Sequence, residues 1–163
     1  GEPVSSKPVE MTSQGAHVNG LDAYKWISAG YACHIYGSSM RAYIEPRYER
    51  VEDVSTPIVG ITNGTTVGFR YLQFGNNAPK TVSVVLDRHK AVKINVRIDS
   101  YRGRIVSVLD LTGVDGASEG ASDGAMEKTA DLTAGVVGKH AVYFEFVSNQ
   151  EGEVASFNRF TFT

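Results

Sequence analysis

Gly116-Ala117-Ser118-Glu119-Gly120 has the Gly-x-Ser-x-Gly spacing that lifts a nucleophilic serine above a sheet, but that elbow needs a strand running in and a helix running out. Gly-Ala-Ser recurs at 120–122, inside a Gly-, Ser- and Asp/Glu-rich stretch at 113–124 that is too poor in large apolar groups to pack. A coincidence on a long exposed loop explains the match. Glycoside hydrolysis would need two opposed carboxylates roughly 5–10 Å apart. Glu45, Glu49, Glu52 and Asp53 cluster in a proline-bounded, charged segment, where a solvated surface is the simpler reading. His17, His34, His89 and His140 show no paired metal spacing, and one cysteine cannot complete a zinc set. That residue, Cys33, cannot close an internal disulfide either, and its apolar-rich surroundings predict a small buried hydrophobe. Asp115, Glu119 and Asp123 match no calcium loop.

The aromatics, eight Tyr, seven Phe and one Trp, offer a different chemistry. Most sit at alternating positions in β-rich runs, as Phe69, Tyr71, Tyr143, Phe144, Phe146, Phe160 and Phe162 do, and belong to a core. A pyranose presents an apolar C–H face that stacks on an exposed ring and a rim of hydroxyls that needs amides or carboxylates. Tyr36, Tyr43, Tyr48, Tyr101 and Trp26 are the candidates for such a role, with partial burial as the competing reading.

The elements that must position these residues read as strands. Ile27, Ala29, Tyr31, Cys33 and Ile35 fall on one face of an extended chain. Asn63-Gly64 is a strong turn signal before a ten-residue strand, Thr65 to Phe74. Further strands are predicted at 81–86, 92–98, 105–109, 141–147 and 157–162, and in the run from Val92 to Ile98 apolar and polar side chains alternate without a break. Arg47 to Thr56, between Pro46 and Pro57, reads as a loop with a short strand. The polar segment 1–20 reads as a linker or lead-in, and 21–163 as one domain. The prediction is an all-β sandwich, a jelly roll of about eight to ten antiparallel strands. The lack of an amphipathic helix longer than two turns argues against a parallel α/β fold, which needs crossover helices.

At 163 residues the chain can bury a core without disulfides or a structural metal. Eighteen acidic against sixteen basic residues, both signs scattered, give a net charge of −2. That balance argues against nucleic acid and anionic membranes as partners, and no apolar run reaches the length of a membrane span.

From Val59-Gly60-Ile61-Thr62-Asn63-Gly64-Thr65-Thr66-Val67-Gly68-Phe69-Arg70-Tyr71-Leu72-Gln73-Phe74-Gly75 the sequence resembles the family 6 carbohydrate-binding modules, in particular those carried C-terminal to glycoside hydrolase family 43 enzymes. Ala134-Gly135 through Phe144 and Ser156-Phe157-Asn158-Arg159-Phe160-Thr161-Phe162 are similar to that family's penultimate and closing strands. The resemblance implies a jelly roll that binds polysaccharides or oligosaccharides of the xylan or arabinan type in a loop-end cleft. It implies a non-catalytic accessory module of a glycoside hydrolase, sharing a parent chain with a catalytic domain and secreted, periplasmic or at the cell surface. The candidate site carried over is Asn158, at the cleft asparagine, with Ile61 and Met126 near the two positions where the family places stacking rings, and Tyr48 as a nearby aromatic. The family's structural calcium rests on acidic residues of the first and last strands. This chain has Trp26-Ile27-Ser28 and Arg159-Phe160-Thr161 there, so no metal or cofactor is expected. The alternatives are a structural domain that packs on a catalytic partner without binding sugar, and a small hydrolase resting on Ser118 and the carboxylate cluster.

Overall fold

The computed structural model describes residues 11–12, 15–16, 20–37, 46–49, 56–113 and 124–163. The Gly-x-Ser-x-Gly match, the acidic trio Asp115, Glu119 and Asp123, and His17, Tyr43, Glu45, Glu52 and Asp53 lie outside the described residues. Glu49 is exposed.

In chain order the strands are β1 Met11–Thr12, β2 Gly15–Ala16, β3 Leu21–Asp22, β4 Ile27–Ser28, β5 His34–Tyr36, β6 Arg47–Tyr48, β7 Ile58–Ile61, β8 Thr66–Gly75, β9 Thr81–Arg88, β10 Lys93–Ile98, β11 Ile105–Asp110, β12 Ala125–Asp131, β13 Gly138–Val147 and β14 Ala155–Phe162. One 3-10 turn, Ala29–Tyr31, is the sole helical element among the described residues. β1 and β2 pair only with each other, within the segment read as lead-in.

The other twelve form two six-stranded sheets. The first runs β11-β10-β13-β8, and β8 then pairs with β3 and β5 at different points along its length. The second runs β12-β9-β14-β7-β6, with β4 also on β14. The expected β-sandwich is present, with twelve strands instead of eight to ten, and β3 pairs with β8 in parallel. The additions are short or lie at sheet edges, where few apolar side chains mark them.

Alternation builds the core. Ile94, Val96 and Ile98 point inward from β10 while Lys93, Asn95 and Arg97 point out. Phe69 and Phe144 of the first sheet meet Phe160 of the second at ring-centroid distances of 4.6 and 4.7 Å, and Phe74 meets Phe162 at 5.0 Å. These edge-on and tilted rings fill the space between the layers.

The single inward face expected from Ile27 to Ile35 does not form. The 3-10 turn breaks the period after Ser28, whose hydroxyl accepts from Gly30 N–H, and Tyr31 is exposed. Cys33 is exposed as well, its thiol 3.5 Å from the Gly68 carbonyl, so the expectation of a buried thiol is corrected.

Candidate functional site

The outward face of the first sheet carries a row of polar and aromatic side chains at strand register. Asn95 pairs with Glu145, Glu145 with Thr66, and Thr66 with Tyr36. One row along, Arg97 pairs with Tyr143, Tyr143 with Gly68, and Gly68 with His34. Glycine at 68 is required: a Cβ there would lie 2.6 Å from the Tyr143 ring and 3.1 Å from His34 Cβ. The Tyr143 ring therefore lies across the sheet as a floor, and its hydroxyl accepts from Arg70 Nε and Nη2 at 3.1 and 2.9 Å.

Above this floor stands an aromatic wall. The His34 ring stacks with both Tyr36 and Tyr101, at centroid distances of 6.5 and 6.4 Å with interplanar angles of 29° and 22°. Both tyrosines are open, 64% and 47% exposed. Tyr101 and Arg102 are the central residues of the turn after β10, closed by Gly103 N–H donating to the Ser100 carbonyl at 2.9 Å. A Cβ at Gly103 would collide with the Ile98 carbonyl oxygen at 1.8 Å, so this turn too depends on a glycine. Arg97 Nη1 donates to the Gly103 carbonyl at 2.8 Å and ties the turn to the sheet.

Tyr36, Gly64, Thr66, Arg97, Tyr101, Arg102 and Glu145 line a groove of about 320 Å³. Within it Glu145 Oε2 accepts from Asn95 Nδ2 at 2.9 Å and from Arg97 Nε and Nη2 at 2.9 and 2.8 Å. Among the described residues no donor reaches Glu145 Oε1. Rings for an apolar sugar face and a fixed carboxylate for its hydroxyls thus stand side by side. A larger hollow of about 520 Å³, lined by Asp22, Tyr24 and residues 73–77, offers one ring, and the single Tyr24 hydroxyl proton is already shared between the Phe74 and Asn77 carbonyls.

The four residues carried over from the family do not converge. Met126, Leu86, Phe157, Ile58 and Tyr48 form one register row across the second sheet. Met126 and Tyr48 therefore lie on opposite edge strands, about 19 Å apart at four strand spacings. Ile61 is fully buried in the core, where no ligand reaches its side chain. Met126 packs partly buried against that core. The Tyr48 hydroxyl donates to the Ala32 carbonyl at 2.5 Å, and burial, with the Cys33 thiol second, raises its pKa above the ordinary value.

Asn158 is the extra residue of a bulge: Phe157 pairs with Leu86 and Arg159 with Val85, leaving Asn158 without an opposite. Simple alternation would put it on the inward face with Phe160 and Phe162. The bulge turns it instead towards Asp87, with Nδ2 3.5 Å from Asp87 Oδ2, while its Oδ1 is buried without a partner. Nearby, His89 Nε2 lies 3.3 Å from Ser156 Oγ and 3.6 Å from Glu153 Oε1. Both contacts fall on one ring nitrogen, whereas a base-activated serine needs the orienting acid on the other. Glu153 Oε1 also accepts from Gly60 N–H at 3.1 Å, a structural bond.

The donor set for a structural calcium does not fit either. Arg159 pairs with Ser28 across β14 and β4, and its guanidinium stands 4.8 Å over the Trp26 ring. A cation occupies the place where a hard metal would need carboxylates. No group of three or more His, Cys, Asp or Glu is gathered for a metal among the described residues.

The family model for carbohydrate binding module family 6 matches residues 36–163, and the chain belongs to that family. The family is non-catalytic, and the domain is not by itself an enzyme. Among solved structures, a family 6 module of Clostridium stercorarium in complex with cellobiose is 19% identical with a TM-score of 0.70, covering 89% of this chain and 97% of that one. A family 6 module of Clostridium cellulolyticum in complex with xylose is 20% identical with a TM-score of 0.68, covering 87% and 98%. A glycoside hydrolase family 43 arabinoxylan arabinofuranohydrolase of Bacillus subtilis, in complex with cellotetraose, is 19% identical with a TM-score of 0.69, covering 95% of this chain and 32% of that one. At these identities the likeness carries the fold. A search of the curated proteins finds no match.

Proposed function

We propose that this domain binds a glycan in the groove on the outward face of the first sheet, as an accessory module of a secreted or cell-surface enzyme that degrades xylan- or arabinan-type polysaccharides. The observation that carries the reading is the placement of Tyr36 and Tyr101, both exposed, beside a Glu145 carboxylate held on one oxygen and, among the described residues, without a donor on the other. Tyr36 and Tyr101 stack on the pyranose faces, Glu145 Oε1 accepts from a sugar hydroxyl, and Arg97 holds Glu145 in place. The cellobiose, xylose and cellotetraose complexes of similar folds, and the family 43 parent of one of them, support a plant cell-wall glycan.

A second reading puts the sugar at the Asn158 bulge within β14, favoured by the orphaned Oδ1 of Asn158, with Asp87 as its neighbour. Affinity electrophoresis against xylans, arabinans and β-glucans tests both readings. Retardation that Tyr101→Ala weakens about fivefold supports the groove, and retardation that only Asn158→Ala weakens supports the Asn158 bulge. Uniform absence of retardation leaves the structural accessory domain as the function.

A further inference from the structure

We infer that the groove selects glycans carrying an anionic substituent, a uronate carboxylate or a sulfate ester; this rests on the groove being the sugar site. In a chain of net charge −2, the described residues in and beside the groove include three guanidiniums, Arg70, Arg97 and Arg102, against two carboxylates, Glu145 and Asp99. Arg97 and Glu145 neutralise each other at 2.8 Å. Farther along the sheet Lys93 is likewise matched by Asp110 at 3.3 Å. Asp99, which precedes the turn bearing Tyr101, lies 2.7 Å from His140 Nδ1, and among the described residues no ion pair joins it to Arg102.

Among the described residues no carboxylate forms an ion pair with Arg70 or Arg102. Arg70 is held by the neutral Tyr143 hydroxyl. Arg102 lines the groove with its guanidinium 5.2 Å over the Tyr101 ring, an interaction that fixes its place without cancelling its charge. A guanidinium fork matches the paired oxygens of a carboxylate or sulfate. A pyranose stacked beside Tyr101 would bring a ring substituent within reach of Arg102, and an anion there gains what a neutral hydroxymethyl group does not.

The test is isothermal titration of the whole chain with tetragalacturonate, a glucuronate-substituted xylo-oligosaccharide and a sulfated galactan oligosaccharide, each against its carboxyl-reduced or desulfated counterpart. The expected result is at least one charged probe binding about tenfold more tightly than its neutral counterpart at low salt. That preference shrinks as NaCl is raised and is reduced several-fold in Arg102→Gln. Preference confined to the carboxylate probes names a uronate as the substituent, and preference confined to the sulfated probe names a sulfate ester. Equal binding of charged and neutral partners, lost in Tyr101→Ala, overturns the inference and leaves the sugar site standing. An Arg102→Gln effect equal on both partners also overturns it. Absence of binding by every probe overturns the inference together with the reading beneath it.

Discussion

Arg97 meets Glu145 through both Nε and Nη2, at 2.9 and 2.8 Å, and both donors fall on the same carboxylate oxygen. The pair joins neighbouring strands β10 and β13 across the floor of the groove, and Asn95 adds a third donor to that oxygen at 2.9 Å. The carboxylate is thus fixed in orientation while Oε1 keeps its capacity to accept. Glu145→Gln removes the charge and one strong acceptor. Glycan affinity is expected to fall about tenfold. With both side chains partly exposed, the lost ion pair costs about 1 kcal/mol, a drop of about 2–4 °C in Tm. Titration calorimetry and thermal denaturation of one variant check both values.

Tyr101→Ala and Tyr36→Ala each remove a stacking face of which about 50 Å² would be covered by sugar, worth roughly 1 kcal/mol. An affinity loss of about fivefold is expected from each, with Tm within about 2 °C of wild type because both rings are open in the free protein. A large fall in Tm with unchanged affinity would make them structural residues.

Asn158→Ala discriminates between the two sugar readings. Its Oδ1 is buried without a donor, and among the described residues its side chain makes one long bond, so the amide adds little to stability. The expected outcome is an unchanged or slightly raised Tm and an affinity equal to wild type. Weakened sugar binding in this variant would move the site to the Asn158 bulge of β14.

Asp110 supplies a pH signature. Its Oδ1 accepts from Thr112 N–H and Oγ1 at 2.9 and 2.5 Å, and Lys93 lies 3.3 Å away, so its pKa is lowered from 3.8 to about 2. A folded-state pKa below the unfolded one means these bonds stabilise the fold fully above the ordinary carboxylate range, and the contribution is lost as pH falls through about 2. An NMR titration should place the Asp110 midpoint near 2, and Thr112→Val, which removes the hydroxyl donor, should move it part of the way back towards 3.8.

Where one face of a strand is buried and the other wet, as from Val92 to Ile98 in β10, alternation in the sequence reported the fold directly. Ala125–Asp131 in β12 was silent because Met126, Glu127 and Lys128 favour helix as much as strand; the open edge of β9, paired with it from Thr81 to Asp87, decides its conformation. Of the groove, Tyr36 and Tyr101 were legible as exposed aromatics. Arg97 and Glu145 were not, because each reads alone as a solvated position on an alternating strand, and the β10–β13 pairing that joins them spans 48 residues. The bulge at Asn158 hid in the same way, since the extra residue shows only against its partner strand.

The central claim, a glycan seated between Tyr36, Tyr101 and Glu145, is tested most directly by mapping amide chemical shifts of the 15N-labelled chain during titration with a glucuronate-substituted xylo-oligosaccharide. Saturable shifts clustered at Tyr36, Thr66, Arg97, Tyr101 and Glu145, and absent from the Tyr36→Ala/Tyr101→Ala double variant, are the predicted result. Shifts confined to Asp87, Met126, Ser156 and Asn158, or none at millimolar sugar, would contradict it.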